Sequence, residues 1–300
     1  SSFVSQFSLY DVLPFHNLSL EIVDIGSRYT EQERYASLIG RSGIQITGFE
    51  PDLTQLTSIA ERYPSNQYLP YFVGDGRERT FHHCRYGGCS SLYPPNPEII
   101  NQFTSLGTSE GSQFEVIRTE RVSTHRLDDI EEIDKCQYLK IDVQGAELDV
   151  LRGAEHLLKG VLLAEMEVEF IPIYERQPLF AEIDQFMRIH GFYLHRLVDI
   201  SGRAFRPFNV DGNPTKPVSQ LLWADAVYLK RFTEIESYEN ADLLRLALLA
   251  HDLYGSIDLC GRVLAQYDHL NDTQLHLKYL REVGIQQPNI SFINVKDWTD

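Results

Sequence analysis

Short apolar runs and amphipathic stretches alternate along residues 21–231, and the period of each run predicts its element. Glu21-Ile-Val-Asp-Ile-Gly26 is an apolar run closed by glycine and reads as a first strand. Thr30-Glu-Gln-Glu33 has capping-box spacing, with the Thr30 hydroxyl placed to accept the Glu33 amide, and predicts a helix through Leu38 or Ile39. Residues 44–49 give a second strand ending at Glu50, and residues 52–63 a second helix. A third strand over 68–73 runs into Gly74-Asp75-Gly76. The fourth strand is 138–143, with a helix over 146–158; the fifth is 161–170, with a helix over 179–190 closed by Gly191. Residues 192–197 and 223–230 read as a final antiparallel pair, separated by a Gly- and Pro-containing loop over 201–217.

Strand–helix alternation at this spacing predicts an α/β fold, a doubly wound Rossmann-like sheet that is mostly parallel with an antiparallel final strand. Right-handed crossovers put helices on both faces. Residues 77–130 are too long for one crossover helix and carry Gly87-Gly88, Pro94-Pro95-Asn96-Pro97 and a β-like run over 114–122. An insertion of that length is expected to shape a functional site. Beyond Phe232 the apolar period becomes helical, over 243–250, 257–267 and 273–282. The expected organisation is a lead-in over 1–20, a main domain over 21–231 and a helical appendage over 232–300. The appendage reads as a packing layer or a homo-oligomer contact.

Composition narrows the partners. The 300 residues are 43% hydrophobic and 23% charged, the balance of a globular protein. A net charge of −16 argues against nucleic acid, whose phosphates need a basic footprint. No apolar run approaches the roughly 20 residues that span a bilayer, so no membrane partner is expected. No signal peptide is read at the N-terminus, and Cys84, Cys89, Cys136 and Cys260 lack the spacing of a disulfide framework. The expectation is a cytoplasmic protein with reduced thiols. His82-His83-Cys84 with Cys89 has the wrong spacing for a zinc knuckle, and no metal is assigned.

Acids fall at successive predicted strand ends. Ligands of a doubly wound sheet lie over the carboxyl ends of its strands. Asp24 with Gly26 and Ser27 marks the first end, Glu50 the second, where it can accept from both hydroxyls of a ribose, and Asp75 the third. A dinucleotide site wants three closely spaced glycines so that the backbone can approach a pyrophosphate. The turn Asp24-Ile-Gly-Ser-Arg-Tyr-Thr30 holds one glycine, which favours S-adenosyl-L-methionine (SAM), a cofactor without pyrophosphate, over NAD.

Val23-Asp-Ile-Gly26, Gly48-Phe-Glu-Pro51, Cys89-Ser-Ser-Leu-Tyr93, Arg126-Leu-Asp-Asp-Ile130, Leu139 to Ala154, Ile171-Pro-Ile-Tyr174 and Gln177-Pro-Leu-Phe180 occur in one order. This series resembles the FkbM-type methyltransferases over residues 21–230, most specifically over 139–154. The resemblance implies a SAM-dependent O-methyltransferase acting on a small-molecule or glycan hydroxyl. It also implies that Asp24, Gly26 and Glu50 hold SAM and that Asp142 lies at the reaction mouth. Two positions depart from the family pattern: Ser27-Arg28-Tyr29 in the first loop, and Gln144 where relatives often carry Glu. A hydroxyl acceptor must lose a proton, and the candidate catalytic groups are Asp142, His125 and Glu165, Glu167 or Glu169, with Glu167 favoured. The three glutamates alternate and share one face of the fifth strand. The alternatives are an NAD-dependent oxidoreductase or epimerase, and a non-catalytic scaffold acting through the helical tail.

Overall fold

The structure, a computed structural model, describes residues 7–13, 15, 17–26, 33–286 and 289–291. The predicted Thr30 capping box and the Ser27-Arg28-Tyr29 loop lie outside them. The chain divides into two compact units: Glu21–Tyr29 with Gln45–Lys230, and Ser1–Leu20 with Thr30–Ile44 and Arg231–Asp300.

The larger unit is built on a seven-stranded sheet. Its strands are β1 (Leu20–Ile25), β2 (Ile44–Phe49), β3 (Gln67–Leu69), β7 (Tyr138–Ile141), β8 (Leu163–Glu169), β9 (Phe192–Arg203) and β10 (Gln220–Lys230). They lie in the order β3-β2-β1-β7-β8-β10-β9. β1 pairs parallel with β7 and β7 with β8, whereas β10 runs antiparallel to both β8 and β9. The fold is thus a mostly parallel, doubly wound sheet. The order reverses between β1 and β7, and a crevice opens there at the carboxyl ends. Leu139, Ile141, Ala164, Met166 and Val168 are fully or almost fully buried in the core around these central strands.

α2 (Leu53–Arg62) starts where Asp52 accepts the Thr54 and Gln55 amides, a standard N-cap. The predicted third strand is split. β3 stays beside β2, and after Pro70, which has no amide to donate to a ladder, the chain leaves the large sheet. Its continuation β4 (Phe72–Val73) pairs parallel with β6 (Val116–His125), which pairs antiparallel with β5 (Glu78–Cys84). The insertion therefore adds β5, β6 and α3 (Pro97–Ile100), its two strands forming a small three-stranded sheet with β4, and its strand β5 was not foreseen.

The single helix expected over 146–158 is also divided. α4 (Glu147–Arg152) stops at Gly153, packed so closely that a Cβ there would lie 3.0 Å from the Gly74 oxygen. Asp128 then accepts the His156 and Leu157 amides and starts a separate 3-10 turn over Leu157–Gly160. In the first crossover the described part of the expected helix is one 3-10 turn, Ala36–Leu38. α5 (Phe180–Ile189) matches its expected span within a residue at each end.

In the smaller unit, α6 (Asn240–Tyr254), α7 (Ile257–Asn271) and α8 (Leu275–Gln286) realise the helical period of the tail. α1 (Leu9–Val12) packs on α6, where Asp252 accepts from Ser8 Oγ and the Leu9 amide. All four cysteines are free and buried. Among the described residues no helix is long and apolar enough to cross a membrane.

Candidate active site

At the reversal of strand order the backbone leaves β1 through Gly26, whose φ is +80°. A Cβ on Gly26 would lie 1.8 Å from the Asp142 carbonyl oxygen, so only glycine lets the β1 and β7 ends approach this closely. The Asp142 amide donates to the Ile25 oxygen at 2.8 Å and locks the two ends together. Asp24 is fully buried one position before the end of β1. Glu50 follows β2 directly and stays partly open to solvent, its backbone amide held by the Leu69 oxygen. Ser27 lies outside the described residues.

Across the sheet, Asp24, Lys140 and Glu165 stand in register on β1, β7 and β8. The register thus places Lys140 on the strand between those of two buried acids. One step nearer the carboxyl edge the charges are all acidic. Asp142, Glu147, Glu167 and Glu169 cluster there, and Asp225 on β10 lies in register with Glu167.

Glu147 and Glu169 are 1% and 2% exposed, whereas Asp142 and Glu167 keep partial access to solvent. The enclosed pair is held by named donors. Glu147 accepts the Val143 and Gly145 amides at 3.1 and 2.9 Å, closing the turn that opens α4. Glu169 accepts from Gln177 Nε2 at 2.5 Å. Burial, then the carboxylates of Asp142 and Glu169, push Glu167 well above the usual carboxylate range. Burial, then Glu169 and Asp142, do the same to Glu147. Glu169 is lifted by burial to about 7, with hydrogen bonds from Glu167 and Gln177 working against the rise. Burial and the crowding of like charges thus both favour the protonated forms of these glutamates.

The turn 142–145 is clamped from the insertion. Gln144 is left-handed (φ +49°), and its backbone oxygen accepts from Ser91 Oγ at 2.5 Å. Tyr93, which follows Ser91 on the same strap, donates from its hydroxyl to Asp149 on α4 at 2.6 Å. Tyr174 packs against Gly145, 3.0 Å from where a Cβ would stand, and its amide donates to Gln177 Oε1. The strap and the 171–177 segment are joined by Asn96, whose amide donates to Ile173 and whose side chain donates to Pro172.

The other sequence candidates lie apart from this cluster. Asp75 closes β4 of the small sheet, where it pairs with Arg79 and accepts the Arg77 amide. Its carboxyl is held below the usual range by those partners against the opposing pull of burial. His125 ends β6 with an exposed side chain, its ring 4.6 Å from that of Tyr71. Glu147, Gln177 and Tyr174 were not singled out from sequence. Only their place in the 139–154 and 171–180 motifs could have signalled them. Among the described residues no group of three His, Cys, Asp or Glu side chains is arranged to hold a metal ion.

The loop joining β9 to β10 docks on the insertion at the same carboxyl edge. The Arg206 amide and Nε donate to the Gln102 and Phe103 oxygens, and Phe205 lies 4.9 Å from Phe103 between ring centroids.

Residues 24–194, more than half of the chain, match the family profile described as the Methyltransferase FkbM domain. No curated protein matches the sequence. Among solved structures, a TehB-like SAM-dependent methyltransferase from Corynebacterium glutamicum is 11% identical, with 71% of this chain and 82% of that chain covered at a TM-score of 0.32. The 23S rRNA methyltransferase ErmE is 13% identical over 84% and 93%, at 0.34. The mitomycin 7-O-methyltransferase MmcR is 9% identical over 73% and 51%, at 0.32. Likenesses this distant add nothing to the family match.

Proposed function

The chain belongs to the FkbM methyltransferase family, and from that membership we propose that it uses SAM to methylate a hydroxyl oxygen on a carbohydrate-like or secondary-metabolite acceptor. The observation that carries the oxygen acceptor is the acid cluster at the β7 and β8 ends. Nitrogen or sulfur acceptors ask less of a base than an alcohol, which must give up its proton as the new bond forms.

The residues at the β1 and β2 ends fit the cofactor. Gly26 keeps the crevice clear of a side chain, and Glu50 offers a partly exposed carboxylate to a pair of ribose hydroxyls. Bound SAM supplies a methyl group on a sulfonium that leaves readily. The protein's work is alignment and proton handling. Asp142 and Glu167, both partly open to solvent, face the acceptor. Asp142 would accept the proton that the acceptor hydroxyl gives up as it takes the methyl group. Glu167, whose protonated form is favoured by burial and by the Asp142 and Glu169 carboxylates, would donate a hydrogen bond to Glu169 and so limit the negative charge beside Asp142. The acceptor is placed by the docked insertion and the 204–219 loop.

Calorimetric titration with SAM and with its demethylated product, followed by transfer of isotopically labelled methyl to a hydroxyl-rich panel, tests this reading. Micromolar binding and a labelled ether product are expected. A folded protein that binds neither compound returns the scaffold alternative.

A further inference from the structure

The turn between β7 and α4 holds one side chain that the methyl-transfer reading does not use, Gln144. Its amide bridges two groups. Nε2 donates to Asp142 Oδ1 at 2.7 Å, and Oε1 lies 3.3 Å from the Tyr174 hydroxyl. The reverse orientation would set two oxygens against each other at Asp142, so the amide faces one way. Tyr174 is 1% exposed, and its hydroxyl proton is shared with the Cys89 oxygen at 2.8 Å, which fixes the ring against the strap. The Ser91 bond to the Gln144 carbonyl holds the backbone in its left-handed state. A residue with a side chain rarely adopts that conformation unless its surroundings over-determine it.

A second amide repeats the pattern. Gln177 binds the Tyr174 amide through Oε1 and donates to Glu169 through Nε2. An amide N–H binds only an oxygen that keeps a lone pair, and it favours the ionised carboxylate. Two of the acids are thus provided with donors from amides on either side of one buried tyrosine. Asp142 is the member of that pair that solvent reaches.

We infer that Gln144 is a positioning residue for methyl transfer: held by Ser91 and Tyr174, it aims its amide at Asp142 and keeps that carboxylate, rather than the neighbouring glutamates, as the proton acceptor. The inference rests on the methyl-transfer reading for its role in turnover, though its effect on Asp142 is separate. Among the described residues, Gln144 on the same turn, Glu147 on α4, and Glu167 and Glu169 on β8 act on Asp142, and Asp225 on β10 stands in register with Glu167. A carboxylate at position 144 would add another acid to the cluster and remove the amide donor that Gln144 gives Asp142.

Two variants of the full chain test this. Gln144→Met keeps length and backbone but neither donates nor accepts; Gln144→Asn suits the left-handed backbone but is too short to bridge Asp142 and Tyr174. Carboxyl-13C aspartate labelling, with Asp142 assigned by loss of its signal in Asp142→Asn, reads the titration midpoint directly and needs no acceptor. In both variants the proton affinity of Asp142 is expected to rise about three- to tenfold. Once an acceptor is known, kcat falls about tenfold, the acid limb of its pH profile moves to higher pH, and SAM affinity stays within twofold. An Asp142 midpoint unchanged in both variants overturns the inference. Failure of the wild-type protein to bind SAM overturns the methyl-transfer reading instead, and leaves the titration interpretable.

Discussion

Single residues set the chemistry of the carboxyl edge, and two of them give sharp tests. Glu50 is the acid proposed to take the ribose hydroxyls. Glu50→Ala should weaken SAM binding by about 1.5–3 kcal/mol, the worth of a hydrogen bond to a charged acceptor, and calorimetry reads it directly. An unchanged affinity would assign the ribose contact elsewhere. Glu169 tests the cluster through stability. Its folded value is about 7, against an unfolded carboxyl near 4.3, so between those pH values the folded state holds a proton that the unfolded chain has released. Stability therefore falls as pH rises through that window, by roughly 4 kcal/mol in all, and the loss is complete above it. Glu169→Gln should remove most of that slope when denaturant unfolding is compared at pH 5 and pH 8. Equal slopes would mean that its proton is not held as burial and the neighbouring Asp142 carboxylate imply. Position 24 shows how residue and fold interact: the sequence marked Asp24 as a strand-end acid, and the structure buries it in a row with Lys140 and Glu165.

Elements decide what the residues can reach. The insertion over 77–130 is a small sheet and a strap, and the strap fastens the turn on which Asp142 and Gln144 stand. Ser91 is 1% exposed; it donates to the Gln144 oxygen and accepts the Tyr93 amide. Ser91→Ala leaves both groups short of a partner and should cost about 1–3 kcal/mol of stability. Because the strap touches the 142–145 turn and not Glu50, kcat should fall more than SAM affinity does. Equal losses in both would make Ser91 a purely structural residue. Periodicity located the main strands within a few residues, since alternation of buried positions is a local property. It missed the break at Pro70 and the strand β5, whose residues are mostly only partly buried and so lack a clear apolar alternation. It also ran α4 into the following turn, because the Asp128 cap and the close approach of Gly74 come from distant parts of the chain.

At the scale of the whole molecule, the tail is tied to the N-terminal segment of its own unit. Arg245 on α6 donates to the Ser19 oxygen, and Asp252 holds Ser8, Leu9 and Ser37. Leu9, Leu13, Phe15 and Leu38 are buried in that unit. Truncation after Lys230 is therefore expected to expose apolar surface from the N-terminal segment. Dye binding should increase and the melting temperature drop; a truncated chain as stable as the full one would show that the tail adds nothing to that segment's packing. The large sheet ends with β10 at Lys230, and the smaller unit takes in Ser1–Leu20 and Thr30–Ile44 together with Arg231–Asp300. The sequence by itself determined the alternation of strands and helices, the acids at strand ends and the signature of the family, because each is written in neighbouring residues. Only the tertiary structure decided which acids meet: Glu147 and Glu169 enclosed, Asp142 and Glu167 reachable, Asp75 and His125 drawn into the small sheet. Those distinctions depend on register, strand order and burial, which are set by contacts between segments far apart in the chain.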